Sequence, residues 1–346
     1  MYGSLIKDVM NIRLKIKEWM LPIAMMAGVS SYLLYHIMPE PVHHAGPVLD
    51  AAVGALQPLL IFAMLFLTFC RIEPKELRPH RWHWWLLLVQ GGIFVLLGLA
   101  SFAVQRFMPG ISKGWIVVME SAMLCLICPT ATAAAVVTRK LGGDVPGITT
   151  YIVLINLLAA LLVPLMVPLI QPDSDADFWV SFSLILAKVF PLLITPCLCA
   201  WLVRYIFPQL YRKIIQYPDL PFYLWAVALT LAIAITTKSI VQSDMKIGLI
   251  MAMSVTSLIC CAFQFYIGRH IGSRYRPRLR VSADVEEKGR EVRKVTAGQS
   301  IGQKNTVFAI WMAYTFMTPE TAIVGGLYSI WHNIYNSWQL YRAGHQ

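Results

Sequence analysis

The chain has 346 residues, 58% of them hydrophobic and 14% charged, with a formal net charge of +11. That balance lies outside the range of soluble domains and points to a membrane. The positive charge does not point to nucleic acid, because the basic residues sit between apolar stretches, where the positive-inside rule accounts for them.

Stretches of about 20 apolar residues, each enough for a helix across a hydrocarbon core about 30 Å thick, recur along the chain. In order they are Trp19–Met38, Ala51–Cys70, Trp84–Val104, Trp115–Val137, Ile148–Ile170, Phe178–Val203, Phe222–Ile240, Ile247–Ile267, Val295–Met317 and Thr321–Trp338, ten spans in all. The first follows a basic start with no small-residue cleavage site and is expected to stay as an anchor. With the N-terminus inside, about 23 Lys and Arg fall in inward segments and 4 in outward ones (Arg106, Lys113, Lys238, Lys246). Both termini are therefore expected in the cytoplasm of a bacterial cell, with the chain in the inner membrane. Lys188 and Lys304 fall within spans; Lys188 is expected in a groove between domains or snorkelling. Outward loops carry His43, His44, Asp173, Asp175 and Asp177 as solvated residues, and Trp82, Trp84 and Trp85 beside His80 and His83 read as an interfacial aromatic belt. The seven cysteines lie in or at the ends of spans, without metal or disulfide spacing, and read as small apolar filler. Residues 273–294 form the one long polar stretch, an expected cytoplasmic connector beside anionic headgroups. No P-loop is visible, so energy must come from a gradient, and no cofactor or metal site is expected.

The fourth and ninth spans are interrupted, at Cys128-Pro129-Thr130-Ala131-Thr132 and at Gly302-Gln303-Lys304-Asn305-Thr306. Each is the fourth of five. Interrupted segments in matching positions of two halves point to the binding site of a secondary transporter, because free backbone groups at membrane depth are tolerated only around a protein-lined cavity.

From Cys128 the chain reads C-P-T-A-T-A-A-A-V-V-T-R-K-L-G-G-D-V, and near its end G-Q-K-N-T and then G-G-L-Y-S-I-W-H-N-I-Y-N-S. These resemble the bile acid:sodium symporter family, with its C-P-G-G-T-A-S-N-V, G-[DN]-V turn, G-x-Q-N segment and closing S-x-W-H-N. The Ser329-x-Trp331-His332-Asn333 match is the specific one. The resemblance implies an all-α polytopic membrane protein of ten transmembrane helices in two inverted five-helix repeats, residues 1–170 and 171–346. Spans 1, 2, 6 and 7 would form a panel domain, and spans 3–5 and 8–10 a core domain in which broken helices 4 and 9 cross.

The departures concern sodium. In the family one sodium is held by a Ser-Asn pair after the first break, two hydroxyls on the fifth helix and a glutamate before G-x-Q-N; here Ala134, Ala135, Ile148, Ile152 and Ser300 stand at those positions. A second sodium uses a third-helix glutamine, which Gln90 matches, the same glutamate, and the glutamine of G-x-Q-N, where Lys304 stands instead. One carboxylate and two sodium ions sum to the single positive charge that one lysine supplies. Lys304 thus reads as a tethered ammonium in place of the cations, offset by two helix C-terminal ends of about half a negative charge each; the other reading is a lysine snorkelling to an interface. Whether it stays charged or exchanges a proton is left open.

The remaining candidates around the breaks are Asn305, Gln303, Ser300, Gln90, Thr130 and Thr132. Glu120 would face the outward cavity, partner Lys304, or sit at an interface. His332 and Asn333 would reach the core or form a bonded pair holding the tenth helix, Glu320 fits an N-terminal cap after Thr318-Pro319, and Asn156 is expected to bond to a neighbouring helix. The reading is a secondary carrier in the lipid bilayer, not an enzyme, moving a small organic anion by alternating access without sodium. Its rivals are a proton-coupled or uniporting carrier of another small solute, a non-transporting membrane sensor, and a membrane-embedded enzyme using His332.

Overall fold

In a computed structural model, residues 20, 22–39, 44–108, 110–171, 177–217, 219–243, 245–275 and 283–344 are described. The expectations for the basic start (Lys7, Arg13, Lys15 and Lys17 among the inward charges) and for His43, Asp173 and Asp175 in outward loops fall outside them. The described residues form α-helices and one 3-10 turn at Pro74–Glu76, with a single isolated β-bridge. We name the helices α1 (22–37), α2 (Gly46–Phe69), α3 (Arg81–Phe107), α4 (Lys113–Ile127), α5 (Ala134–Lys140), α6 (Val145–Ile170), α7 (Phe178–Ile206), α8 (Pro208–Ile215), α9 (Leu220–Gln242), α10 (Ile247–Arg274), α11 (Ala283–Gly302), α12 (Thr306–Phe316) and α13 (Pro319–Gly344).

Six of them, α2, α3, α6, α7, α9 and α10, are long and apolar enough to cross a membrane. Their outward faces expose large apolar side chains, such as Leu88 and Leu96 on α3 and Leu184 and Leu198 on α7. That is the surface a lipid-facing helix requires, since its backbone is satisfied internally and its exterior meets hydrocarbon. The fourth and ninth spans are each split, as expected. Pro129 lacks an N–H and restricts Cys128 to extended backbone, so α4 stops there (Cys128 φ −49°, ψ 129°).

α1, α2, α7 and α9 pack together: α2 lies against α7 and α9, Ala24 of α1 joins Ala226, Leu229 and Ile233 of α9, and Lys238 of α9 pairs with Asp50 of α2 at 2.6 Å. A second group, α3–α6 with α10–α13, encloses the two breaks. The closest pair within it is α10 with α11. A Cβ at Gly268 would stand 2.5 Å from the Ala297 carbonyl oxygen, so glycine is what lets these backbones touch. The groups meet where α6 leads into α7, where α12 touches α2, and where α13 touches α9.

Helix α11 begins at Ala283, well before Val295, so much of the polar stretch 273–294 is helix, and its mixed charges pair, Lys294 with Glu291 at 2.9 Å and Arg293 with Glu286 at 3.1 Å. Two expectations are corrected. Trp84 and Trp85 are exposed as belt residues, but Trp82 and His83 are buried, His83 accepting from the His80 N–H and lying 2.9 Å from the Gly147 carbonyl oxygen. Its two ring nitrogens tie the start of α3 to the start of α6. Asn156 is buried with neither side-chain atom hydrogen-bonded, so it does not bridge helices.

Candidate functional site

The two breaks meet. Thr130 and Lys304 form an antiparallel bridge in which Ala131 N–H donates to the Gln303 carbonyl oxygen (2.9 Å) and Asn305 N–H donates to that of Pro129 (2.8 Å). Interrupting a helix leaves carbonyls at its C-terminal end without intrahelical donors. At this crossing, donors from elsewhere in the chain take them up. At the end of α4, the Cys125 oxygen accepts from Gln264 Nε2 (3.2 Å), the Leu126 oxygen from Lys304 Nζ (3.0 Å) and the Cys128 oxygen from Gln90 Nε2 (3.4 Å). At the end of α11, the Ser300 oxygen accepts from the Thr130 hydroxyl and the Gly302 oxygen from the Tyr328 hydroxyl (2.8 Å). Among these donors only Lys304 carries a charge. Asn305 does a separate job, capping α12 by accepting the Phe308 N–H at 3.2 Å.

Lys304 is 1% exposed, which rules out the snorkelling reading. Around it lie the thiols of Cys125, Cys128, Cys260 and Cys261, with no carboxylate among the described residues acting on it. A void of about 10 Å³, lined by Cys125, Cys128, Thr306 and Tyr328 beside Lys304, is close to the size of one water. The C-terminal end of α4, which carries about half a negative charge, meets this ammonium through the Leu126 carbonyl and supplies part of the compensation that an acid would otherwise give.

Next to the crossing opens a cavity of about 410 Å³, within the range of small-molecule sites. One wall comes from α2 and α9 (Met64, Thr68, Phe222, Trp225), the other from the breaks (Thr132, Ala135, Gln303, Asn305) with His332 and Asn333 of α13. Its mouth carries Arg71, Arg139 and Lys140 against Glu76. Arg71 is anchored there, donating from Nη2 to the Tyr217 carbonyl oxygen at 2.9 Å. The cavity therefore offers an apolar body, a polar floor and an electropositive rim.

Of the sequence candidates, Lys304, Asn305, Gln303, Ser300, Gln90, Thr130 and Thr132 come together at the crossing or its cavity. Gln90 is fixed by the Tyr151 hydroxyl, which donates to its Oε1 at 2.8 Å. The positions matched to lost sodium ligands, Ala134, Ile148 and Ile152, are buried and apolar, and the buried Ser300 hydroxyl has no hydrogen-bond partner. His332 and Asn333 both line the cavity but do not bond to each other: Asn333 Nδ2 donates to the Ser329 carbonyl oxygen at 2.7 Å, while His332 stacks edge-on against Tyr328. Glu120 does not partner Lys304; it bonds to Gln171 and Thr321 at the other end of the helix group. Lys188 lies 5.6 Å from the Phe316 ring centroid, between α7 and α12. Thr318 caps α13 with Glu320 in the first turn, as the Thr318-Pro319 step suggested.

Sequence reasoning missed Gln264, Tyr151 and Tyr328, the partners that complete the crossing. The only available signal was a lone amide and two phenols inside apolar spans. Arg71, Arg139 and Lys140, which counted there only among the inward basic residues that set orientation, form the rim of the cavity.

No curated protein matches the chain. A family model for the sodium bile acid symporter family matches residues 58–246, more than half of the chain, from within α2 through the first break to the segment before α10. The second break lies beyond that stretch, and its likeness rests on the motif and on the bridge that pairs it with the first. With an all-helical architecture and helices long enough to span a bilayer, the chain belongs to the sodium bile acid symporter family, a family of membrane transporters.

Proposed function

We propose that this protein is a ten-helix secondary carrier that moves a small organic anion, without sodium, by rocking a panel (α1, α2, α7, α9) against a core (α3–α6 and α10–α13). The panel and core would come from two inverted repeats, residues 1–170 and 171–346, with both termini cytoplasmic in a bacterial inner membrane. The observation that carries the reading is the cavity between the two helix groups. Its rim holds three cations against one carboxylate, and its floor is the crossing at which Lys304 is buried. An anion with an apolar body suits that gradient of polarity, because its charge stays near Arg71, Arg139 and Lys140 while its body meets Met64, Phe222 and Trp225.

Lys304 takes the role of the family's bound cations in this reading. Its ammonium donates directly to the helix-end carbonyl of Leu126, and the methyl groups at Ala134, Ile148 and Ile152 offer a hard cation no oxygen. A fixed ammonium cannot leave, so no cation would be released from this site during the transport cycle.

The test is a thermal-shift screen of amphipathic carboxylates and sulfonates on purified protein, followed by uptake into liposomes in sodium or choline buffer. A ligand at a hundred times its Kd adds about 2.7 kcal/mol of stability, well within reach of a melt. Stabilisation and uptake by an organic anion, equal in both buffers, is the expected result; uptake that requires sodium, or stabilisation only by neutral or cationic solutes, sinks the proposal. Orientation is tested separately with an impermeant thiol reagent, which should reach a cysteine placed at His44 in intact cells and one placed at Ser282 only after permeabilisation.

A further inference from the structure

A second buried ionisable group sits in the core, away from the cavity. Glu120 lies on α4 about two helical turns before the break and is 1% exposed. Its partners come from the end of α6 and the start of α13, whereas the cavity is lined by the start of α6 (Val145, Pro146, Thr149) and the later part of α13 (His332, Asn333, Leu340). The carboxyl thus stands at the opposite end of the same helices.

Its surroundings are neutral or like-charged. Gln171 Nε2 donates to Oε1 at 2.7 Å, and the Thr321 hydroxyl is 2.7 Å from Oε2. Among the described residues the one charged group acting on it is Glu320 of α13; α3, α10 and α12, which also pack on α4, present it no cation. Asp173 and Asp175 follow Gln171 outside the described residues. An isolated carboxylate removed from water is strongly disfavoured, and two bonds from neutral donors do not replace a counter-charge.

The hydrogen bonds around it also lead outward. The Thr321 hydroxyl is 2.8 Å from the Thr318 hydroxyl, a pair in which either oxygen can donate, and Thr318, half-buried at the start of α13, accepts the Thr321 N–H at 3.1 Å. Carboxyl, hydroxyl and hydroxyl form one string from the interior to the surface.

We propose that Glu120 is a proton-binding site, loaded and unloaded through Thr321 and Thr318, by which the carrier responds to pH on the face opposite its cavity. When loaded, the Glu120 O–H donates to Thr321 Oγ1, and the Thr321 O–H donates to Thr318 Oγ1. On unloading, the Glu120 proton passes to Thr321, the Thr321 proton to Thr318, and the Thr318 proton to water as hydronium. The hydroxyls then point the other way, Thr318 donating to Thr321 and Thr321 to the carboxylate. Only O–H bonds form and break, and one proton leaves. The site goes beyond the anion-carrier reading and holds its proton whether or not Lys304 stands in for sodium.

Infrared difference spectroscopy of the purified full chain in lipid nanodiscs, between acidic and basic buffer, reads this directly. Wild type should show a protonated-carboxyl band that shifts in heavy water and is absent in Glu120→Gln. Thr321→Val, which removes the hydroxyl at nearly constant shape, should keep the band while slowing its deuterium shift by roughly tenfold or more. A wild type without the band, a band that persists in Glu120→Gln, a Thr321→Val exchange rate equal to wild type, or a band removed by sodium at constant pH each overturns the proposal. If Glu120→Gln does not fold, the band and the Thr321→Val rate still decide. Failure of the carrier reading would appear elsewhere, as loss of anion uptake with the Glu120 band unchanged.

Discussion

The first and second breaks are alike in backbone and unlike in side chains. Each lends one N–H to the other's carbonyl, Ala131 to Gln303 and Asn305 to Pro129, so the crossing is symmetric in its main chain. Around it the first break places threonine and alanine, with no side-chain cap on α5, whereas the second places an amide, an ammonium and the asparagine that caps α12. The main chain makes the crossing, and one side alone charges it. In the proposed reading, a symmetric backbone with an asymmetric charge would let one lysine stand in for bound cations, because the helix-end carbonyl that accepts from it is still there.

The largest effect should come from removing that charge. Lys304→Gln takes the ammonium from the Leu126 carbonyl at the end of α4 and rebuilds only part of a sodium site, and liposome uptake of any identified anion should fall by about tenfold or more. If the variant folds and transports at the wild-type rate, the charge is not what separates the two breaks. Fixing the second break in place depends next on α10. Gly268→Ala pushes a methyl against the Ala297 carbonyl oxygen, and overpacking of this kind costs about 1–3 kcal/mol. The melting temperature in detergent should drop accordingly; an unchanged melt would mean that α11 can shift and the crossing tolerates it.

Capping sharpens the contrast at smaller cost. Asn305→Ala removes the acceptor for the Phe308 N–H and should cost about 1 kcal/mol. Ala133→Ser at the matching end of α5 should stay within about 0.5 kcal/mol, because that residue makes no cap and lies in helical backbone. Equal losses at both positions would show that the breaks are capped alike. The smallest effect is expected from sodium itself: exchange for choline at constant ionic strength should leave the melt unmoved, and a saturable sodium-dependent rise would show that oxygen ligands remain at the crossing.

The positions of both breaks were legible in the sequence, because Pro129 and the polar Gly302–Thr306 segment are local signals. The end of α4 at Ile127 and the start of α12 at Thr306 fall where those residues put them. The placement of Gln90 at the crossing was legible through a family motif, not through its own span, where a lone amide has many uses. Glu120 was not legible. Its distance from Lys304 along the chain says nothing, and its partners Gln171 and Thr321 are 51 and 201 residues away. Cysteines read as filler pack as filler, yet four of them also line the space around the ammonium, a grouping that spacing along the chain cannot reveal across two helices.

What the sequence determines alone is which segments can lie in lipid and where their helices must stop. Hydrophobic length, a missing N–H and a run of polar residues act within a few residues of themselves. What the tertiary structure decides is which donor meets which stranded carbonyl. Lys304 Nζ reaches Leu126 across 178 residues of chain, and Gln264 Nε2 reaches Cys125 across 139. An interrupted helix states that it needs partners, but backbone carbonyls are chemically alike, so only packing selects the lysine for one and an amide for another.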